Sequence, residues 1–98
     1  IIVMENSGSK GSNGKNQSNI DEVIRKSNEE SGCISYKFSE AIGDPGLIRV
    51  SEKWKSFGDL EKHFQTDHMK KWRKIVQENG GATSRDVSSY EITLEKEL

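Results

Sequence analysis

Residues 33–41, CISYKFSEA, alternate between apolar and polar side chains, and residues 47–54, LIRVSEKW, do so again. A period of two is that of a strand with one face buried. The intervening GDPG, residues 43–46, is turn chemistry, so the two runs read as an antiparallel hairpin with a longish loop. In the first run Ile34, Tyr36 and Phe38 share one face, opposite Cys33, Ser35 and Lys37. In the second, Ile48, Val50, Glu52 and Trp54 share the more apolar face, which should meet whatever covers the sheet.

The flanks supply the cover. Ile20, Val23 and Ile24 make an apolar stripe at helical spacing. Ser18 or Asn19 is placed to cap that helix, Asp21 and Glu22 suit its first turn, and Gly32 is placed as a left-handed stop. After the hairpin, Ser56 starts a helix with Asp59 in the capping-box position and Leu60 and Phe64 facing inward. Thr66 or Asp67 breaks it and caps a second segment striped with Met69, Trp72 and Val76, which ends at ENGGA. Ile1–Met4 reads as a first strand, and residues 86–94, with Tyr90, Ile92 and Leu94 on one side, as a last one. The order β-α-β-β-α-β implies an α+β, ferredoxin-like domain: a four-stranded antiparallel sheet with helices on one face. Residues 7–18, built from Gly, Ser, Asn, Lys and Gln, are expected to form a flexible loop.

Ninety-eight residues make a single domain, 1–98, and only 31% of them are hydrophobic against 32% charged. A core that thin favours a partner subunit. A net charge of −1 offers no electrostatic argument for nucleic acid or an anionic membrane, and the run Lys70, Lys71, Arg73, Lys74 reads as a solvated helix face. No apolar run approaches the roughly 18 residues of a membrane span, and IIVMENS is too short for a signal peptide. One cysteine, Cys33, forms no internal disulfide and reads as a small strand residue. A cytoplasmic location is expected.

Both tryptophans and both histidines fall within residues 52–72. Glu52 on an apolar strand face needs a partner, and His63 is the candidate. Asp59 and Asp67, at i−4 and i+4, also offer His63 a surface ion pair. His63 and His68 are five apart, roughly 140° around a continuous helix, so they are not expected to share a metal ion. His68 falls at a helix start, where the partial positive charge disfavours imidazolium. Tyr36, Trp54, Glu52 and His63 are expected to wall an apolar cavity suited to a flat aromatic ligand, with Phe38 and Phe64 adding ring surface. Trp72 reads as core.

Taken in order, Glu30, Gly32, Cys33 and Tyr36, the Asp44-Pro45 hairpin, Glu52, Trp54, Leu60, His63, His68 and Met69 resemble the pattern of the antibiotic biosynthesis monooxygenase family over about residues 20–94. The resemblance implies a homodimer whose sheets pair into a dimeric α/β barrel, with a pocket between sheet and helices. It also implies oxidation of small aromatic or quinol substrates by O₂ without metal, flavin or other cofactor. His63 with Glu52 would then be the base, with His68 as second choice, and Trp54, Tyr36, Phe38 and Phe64 would hold the substrate. A non-catalytic dimeric ligand-binding or stress-associated protein, and an isomerase, are the other branches the resemblance allows. The haem-degrading branch places its iron-ligating histidine near Arg73, and arginine does not ligate iron. The first strand also looks shorter than is usual in the family.

Overall fold

A computed structural model of the chain describes residues 1–8, 17–44, 46–78 and 84–98. The elements run β1 (Ile2–Gly8), α1 (Gln17–Asn28), β2 (Cys33–Glu40), β3 (Leu47–Trp54), α2 (Phe57–Phe64), α3 (Asp67–Glu78) and β4 (Ser84–Tyr90). All pairings are antiparallel, in the spatial order β2-β3-β1-β4, so the fold is the expected α+β ferredoxin-like sheet with helices. The first strand is central and seven residues long, not a stub ending at Met4. Ser7 and Gly8 belong to β1 and Gln17 and Ser18 to α1, and the rest of the 7–18 stretch lies outside the described residues. The last strand starts and ends earlier than the alternation suggested, so Ile92 and Leu94 follow it. No helix among the described residues is long and apolar enough to cross a membrane.

The hairpin forms as its pattern requires, with Tyr36 opposite Glu52 and Phe38 opposite Val50. Gly43 and Gly46 adopt φ of 82° and 88°, the left-handed region glycine enters without steric cost. Pro45, between them, lies outside the described residues. One correction concerns the start of β2. A bulge between Cys33 and Ser35 absorbs Ile34, which turns outward and is exposed, while Cys33 moves to the inner face opposite Trp54. The inner face is then Val3, Tyr36, Val50 and Trp54, closed by Leu60 of α2.

Gly32 serves a different purpose from a helix stop. Its φ is not positive, and α1 ends four residues earlier, at Asn28. A Cβ built at Gly32 would stand 2.2 Å from Asp59 Cγ, so its lack of a side chain lets the α1–β2 turn lie directly on α2. Asn28 holds the other side of that turn. Its side-chain amide donates to the Tyr36 carbonyl at 3.0 Å and accepts from the Tyr36 N–H at 3.2 Å, pairing the free edge of β2. Residues 29–32 are therefore pinned between sheet and helix.

The helical corner is fixed as firmly. Ser56 caps α2, accepting from the Asp59 N–H at 3.2 Å and donating to its carboxylate at 2.8 Å. Thr66 caps α3, accepting from the Met69 N–H and donating to the His63 carbonyl. Arg73 donates to the Phe64 carbonyl at 2.8 Å and closes the bend between the helices. Phe64 does not face inward as the stripe suggested. Leu60 and His63 take the two buried positions of α2, and Phe64 falls at the helix end, exposed, its ring 5.9 Å from that of His63.

Candidate acid–base site

Glu30, on the pinned turn, points between the two helices. Its Oε2 lies 2.6 Å from His63 Nδ1 and 2.8 Å from His68 Nε2. With Glu30 as carboxylate, both ring protons sit on the nitrogens facing it, and one oxygen receives two N–H donors. The bend at Gln65–Thr66 makes this possible. It brings the imidazoles to 6.0 Å between ring centres, where a continuous helix would have placed them on different faces. The spacing argument against a shared ligand thus fails, because the helix it assumed is broken. The pairing of His63 with Asp59 or Asp67 fails too, since its partner is Glu30.

Behind His63 the site is sealed from bulk solvent. Its side chain is 1% exposed, and its Nε2 is buried without a hydrogen-bond partner, 3.9 Å from Glu52 Oε1. Glu52 sits on the inner face, as its strand register requires, and is 6% exposed rather than wet at the strand end. Its hydrogen bond comes from Trp54, two residues along the same face, whose Nε1 donates to Oε1 at 3.0 Å. Burial drives the Glu52 carboxyl up to about 7, with the Trp54 N–H opposing and the charges of Glu5 and Glu30 adding to the rise. Burial also holds the His63 imidazole below its ordinary value, against the contrary pull of Glu30. The Tyr36 phenol is pushed well above its usual range by burial and then by Glu52, so it stays neutral. Cys33 is likewise pushed up to about 11, first by burial and then by Glu30 and Glu52, so at neutral pH it is a thiol and no nucleophile.

The structure brings Tyr36, Glu52, Trp54 and His63 together, but the space they were expected to wall is filled. The rings of Trp54 and His63 stand 4.5 Å apart and those of Tyr36 and His63 5.3 Å apart. A flat ligand sandwiched between two rings needs about 7 Å, twice the van der Waals separation. These side chains hold His63 rather than a substrate. Phe38 packs between Tyr36, at 5.6 Å, and Trp72, at 5.8 Å. A small cleft of about 10 Å³ lies between α1 and α3, lined by Asn19, Glu22, Val23, His68, Lys71 and Trp72, together with Ile75. Trp72 is half-buried there, not plain core. Lys71 spans the cleft to Glu22 at 3.1 Å, and Lys71 with Lys26 holds the Glu22 carboxyl below the usual carboxylate range.

Glu30 is the site residue that pattern reading passed over. Its signal was present as the glutamate two residues before Gly32, but nothing local ties it to histidines 33 and 38 positions away.

Residues 1–75 match the sequence profile described as antibiotic biosynthesis monooxygenase. Among solved structures, the fold is similar to a protein from Deinococcus radiodurans provisionally described as an antibiotic biosynthesis monooxygenase. The TM-score is 0.84 at 17% identity, covering 100% of this chain and 98% of that one. A protein of the same provisional description from Nitrosomonas europaea gives 0.84 at 18%, covering 95% and 98%. A conserved protein of unknown function from Bacteroides thetaiotaomicron, described as a possible oxidoreductase, gives 0.76 at 22%, covering 93% and 94%. None of the curated proteins matches the sequence.

Proposed function

Because the chain belongs to the antibiotic biosynthesis monooxygenase family, we propose that it oxidises a small phenolic or quinol-type substrate with O₂, using the Glu30–histidine cluster to remove the substrate's proton. The observation that carries this reading is the double hydrogen bond to one oxygen of Glu30. It fixes the tautomer of both imidazoles and leaves each ring's other nitrogen as a lone-pair base.

His68, at the wall of the α1–α3 cleft, is the ring a substrate meets first, and its Nδ1 accepts the proton of an activated methylene or hydroxyl. Glu30 stabilises the imidazolium that results, and His63 holds Glu30 in place from the sealed side. The electron-rich substrate anion then reduces O₂ directly. For a methylene between aromatic rings the balance is CH₂ + O₂ → C=O + H₂O, with one oxygen retained and the other leaving with two protons as water. Glu52, Trp54 and Tyr36 back His63, and Phe38 and Trp72 supply the aromatic surface nearest the cleft. Substrate entry requires α1 and α3 to part, which Lys71–Glu22 resists only weakly because the pair is solvated.

A second reading is favoured by one observation, the filled interior around His63. A dimeric ligand-binding protein of this fold would need no ring-sized cavity beside its histidines. An isomerase would use the same cluster without consuming oxygen. Oxygen uptake by EDTA-treated protein against a panel of phenols and quinols separates the three. Turnover-dependent uptake, cut at least about 100-fold in His68→Ala, is expected. Saturable binding without uptake would select the second reading, and substrate conversion without uptake the third.

The partner in this reading is a second copy of the chain. Met4 and Tyr90 stand exposed on the sheet face away from the helices, and Ile92 and Leu94 just beyond β4 are exposed as well. Every residue of Arg85–Tyr90 is exposed although its strand pairs with the central one. A small domain with so thin a core gains most by burying that side against itself. A cytoplasmic location suits a thiol that has no partner for a disulfide.

A further inference from the structure

We propose that Glu30, His63 and His68 bind one first-row divalent transition-metal ion, of the Zn²⁺ or Co²⁺ class. Each offers one ligand atom, and the three atoms lie within 4.8 Å of one another. Bonds of about 2.0–2.2 Å to such an ion would set these atoms a little over 3 Å apart. The two contacts now made through protons, at 2.6 and 2.8 Å, need to lengthen by less than about 1 Å, and the two imidazole nitrogens, within 4.8 Å of each other, need to approach by up to about 1.5 Å. Two imidazoles and a carboxylate suit zinc-like ions, whereas the harder Mg²⁺ and Ca²⁺ prefer all-oxygen sites.

The surroundings are those of a built site. His63 is sealed, while the side chains of His68 and Glu30 are 12% and 15% exposed, so water or a small ligand can complete the coordination from the cleft side. The three residues come from the turn pinned by Gly32 and Asn28, the end of α2 and the start of α3. That leaves little ordering to be done on binding.

An independent observation is the buried, unpartnered Nε2 of His63. A metal ion at Nδ1 obliges the ring to carry its proton on Nε2, directed at Glu52 Oε1, 3.9 Å away. A small rotation closes that gap, and Trp54 already holds the receiving oxygen from its other side. The orphan atom then joins the carboxylate–histidine–metal arrangement that orients metal-bound imidazoles. The inference goes beyond the oxidative reading and does not rest on it. The ion takes the lone pairs that hold the proton-removing cluster together, so an occupied site is one in which that chemistry is blocked.

The test is titration of EDTA-stripped, dialysed protein with CoCl₂, read by visible absorption, and with ZnCl₂, read by calorimetry. One ion per chain is expected, with the intense visible bands of low-coordinate Co²⁺ that Zn²⁺ abolishes. His68→Ala and Glu30→Gln, checked by circular dichroism to be folded, should each weaken binding at least tenfold. Absence of saturable binding, or equal affinity in both folded variants, overturns the assignment. Because the readout is the bound ion, it is independent of oxygen uptake, which judges the catalytic reading in metal-free protein.

Discussion

Glu30 Oε2 and His63 Nδ1 stand 2.6 Å apart across 33 positions of sequence, and the contact ties the α1–β2 turn to the end of α2. Replacing Glu30 with Gln keeps the shape but removes the charge that both imidazole N–H groups address. The amide must also turn its NH₂ toward one donor or share its single oxygen. The expected loss is about 1–3 kcal/mol of stability, measured by urea unfolding. Nitrogen-15 NMR should show His63 no longer fixed as the Nδ1–H tautomer. An unchanged midpoint with unchanged ring shifts would mean that this hydrogen bond contributes nothing.

The hairpin, the order of the elements and the inner face of β3 were legible because they depend on local periodicity. Glu52 and Trp54 had to share a face, and they do. What local reading missed depended on events of one or two residues. The bulge at Ile34 exchanged Cys33 for Ile34 on the inner face, and no hydrophobic pattern marks it. The break at Gln65–Thr66 was visible as a cap, but its consequence for the two histidines needs the actual bend angle. Glu30 shows the limit most clearly, since its role comes entirely from contacts distant in sequence.

Gly32→Ala tests whether close approach, not backbone freedom, explains that glycine. Alanine suits the backbone angles, but its methyl would meet Asp59 Cβ and Cγ at 2.3 and 2.2 Å. Either the turn or α2 must move, disturbing the Ser56 cap. Destabilisation of about 1–3 kcal/mol is expected from such overpacking. Since the turn carries Glu30, the Glu30–His63 contact should loosen with it, seen as faster amide exchange at the start of β2. A variant as stable as the parent would show that the turn is free to adjust.

Met4→Asp tests the second copy. Met4 is exposed on the outer face of the central strand, far from the helix-side core, so a charge there costs a lone subunit little. In a dimer that buries this face it would place two carboxylates in an apolar contact. Light scattering after gel filtration should then report about half the parent mass. A parent that elutes as a monomer, or a variant that remains dimeric, would move the interface away from this face.

The paired shifts of Glu52 and His63 make opposite demands on pH. Glu52, raised to about 7, holds its proton more tightly folded than unfolded, so its contribution to stability is complete below its unfolded value of 4.5 and is lost as pH rises toward 7. His63, lowered from 6.5, does the reverse: its contribution is complete above 6.5 and is lost as pH falls through the depressed value. Below 6.5 the two slopes oppose each other over the range in which both groups titrate, and above 6.5 only the Glu52 loss continues. Glu52→Gln removes one slope while leaving an oxygen to accept from Trp54. Relative to the parent, the variant should gain about 1–3 kcal/mol in urea unfolding between pH 5 and pH 8, a partial share of the linkage from a shift of this size. The variant alone should then show stability rising with pH across the histidine window and levelling off above it. Parallel curves for parent and variant would place Glu52 in an environment that leaves its proton affinity unaltered, contrary to its burial beside Trp54.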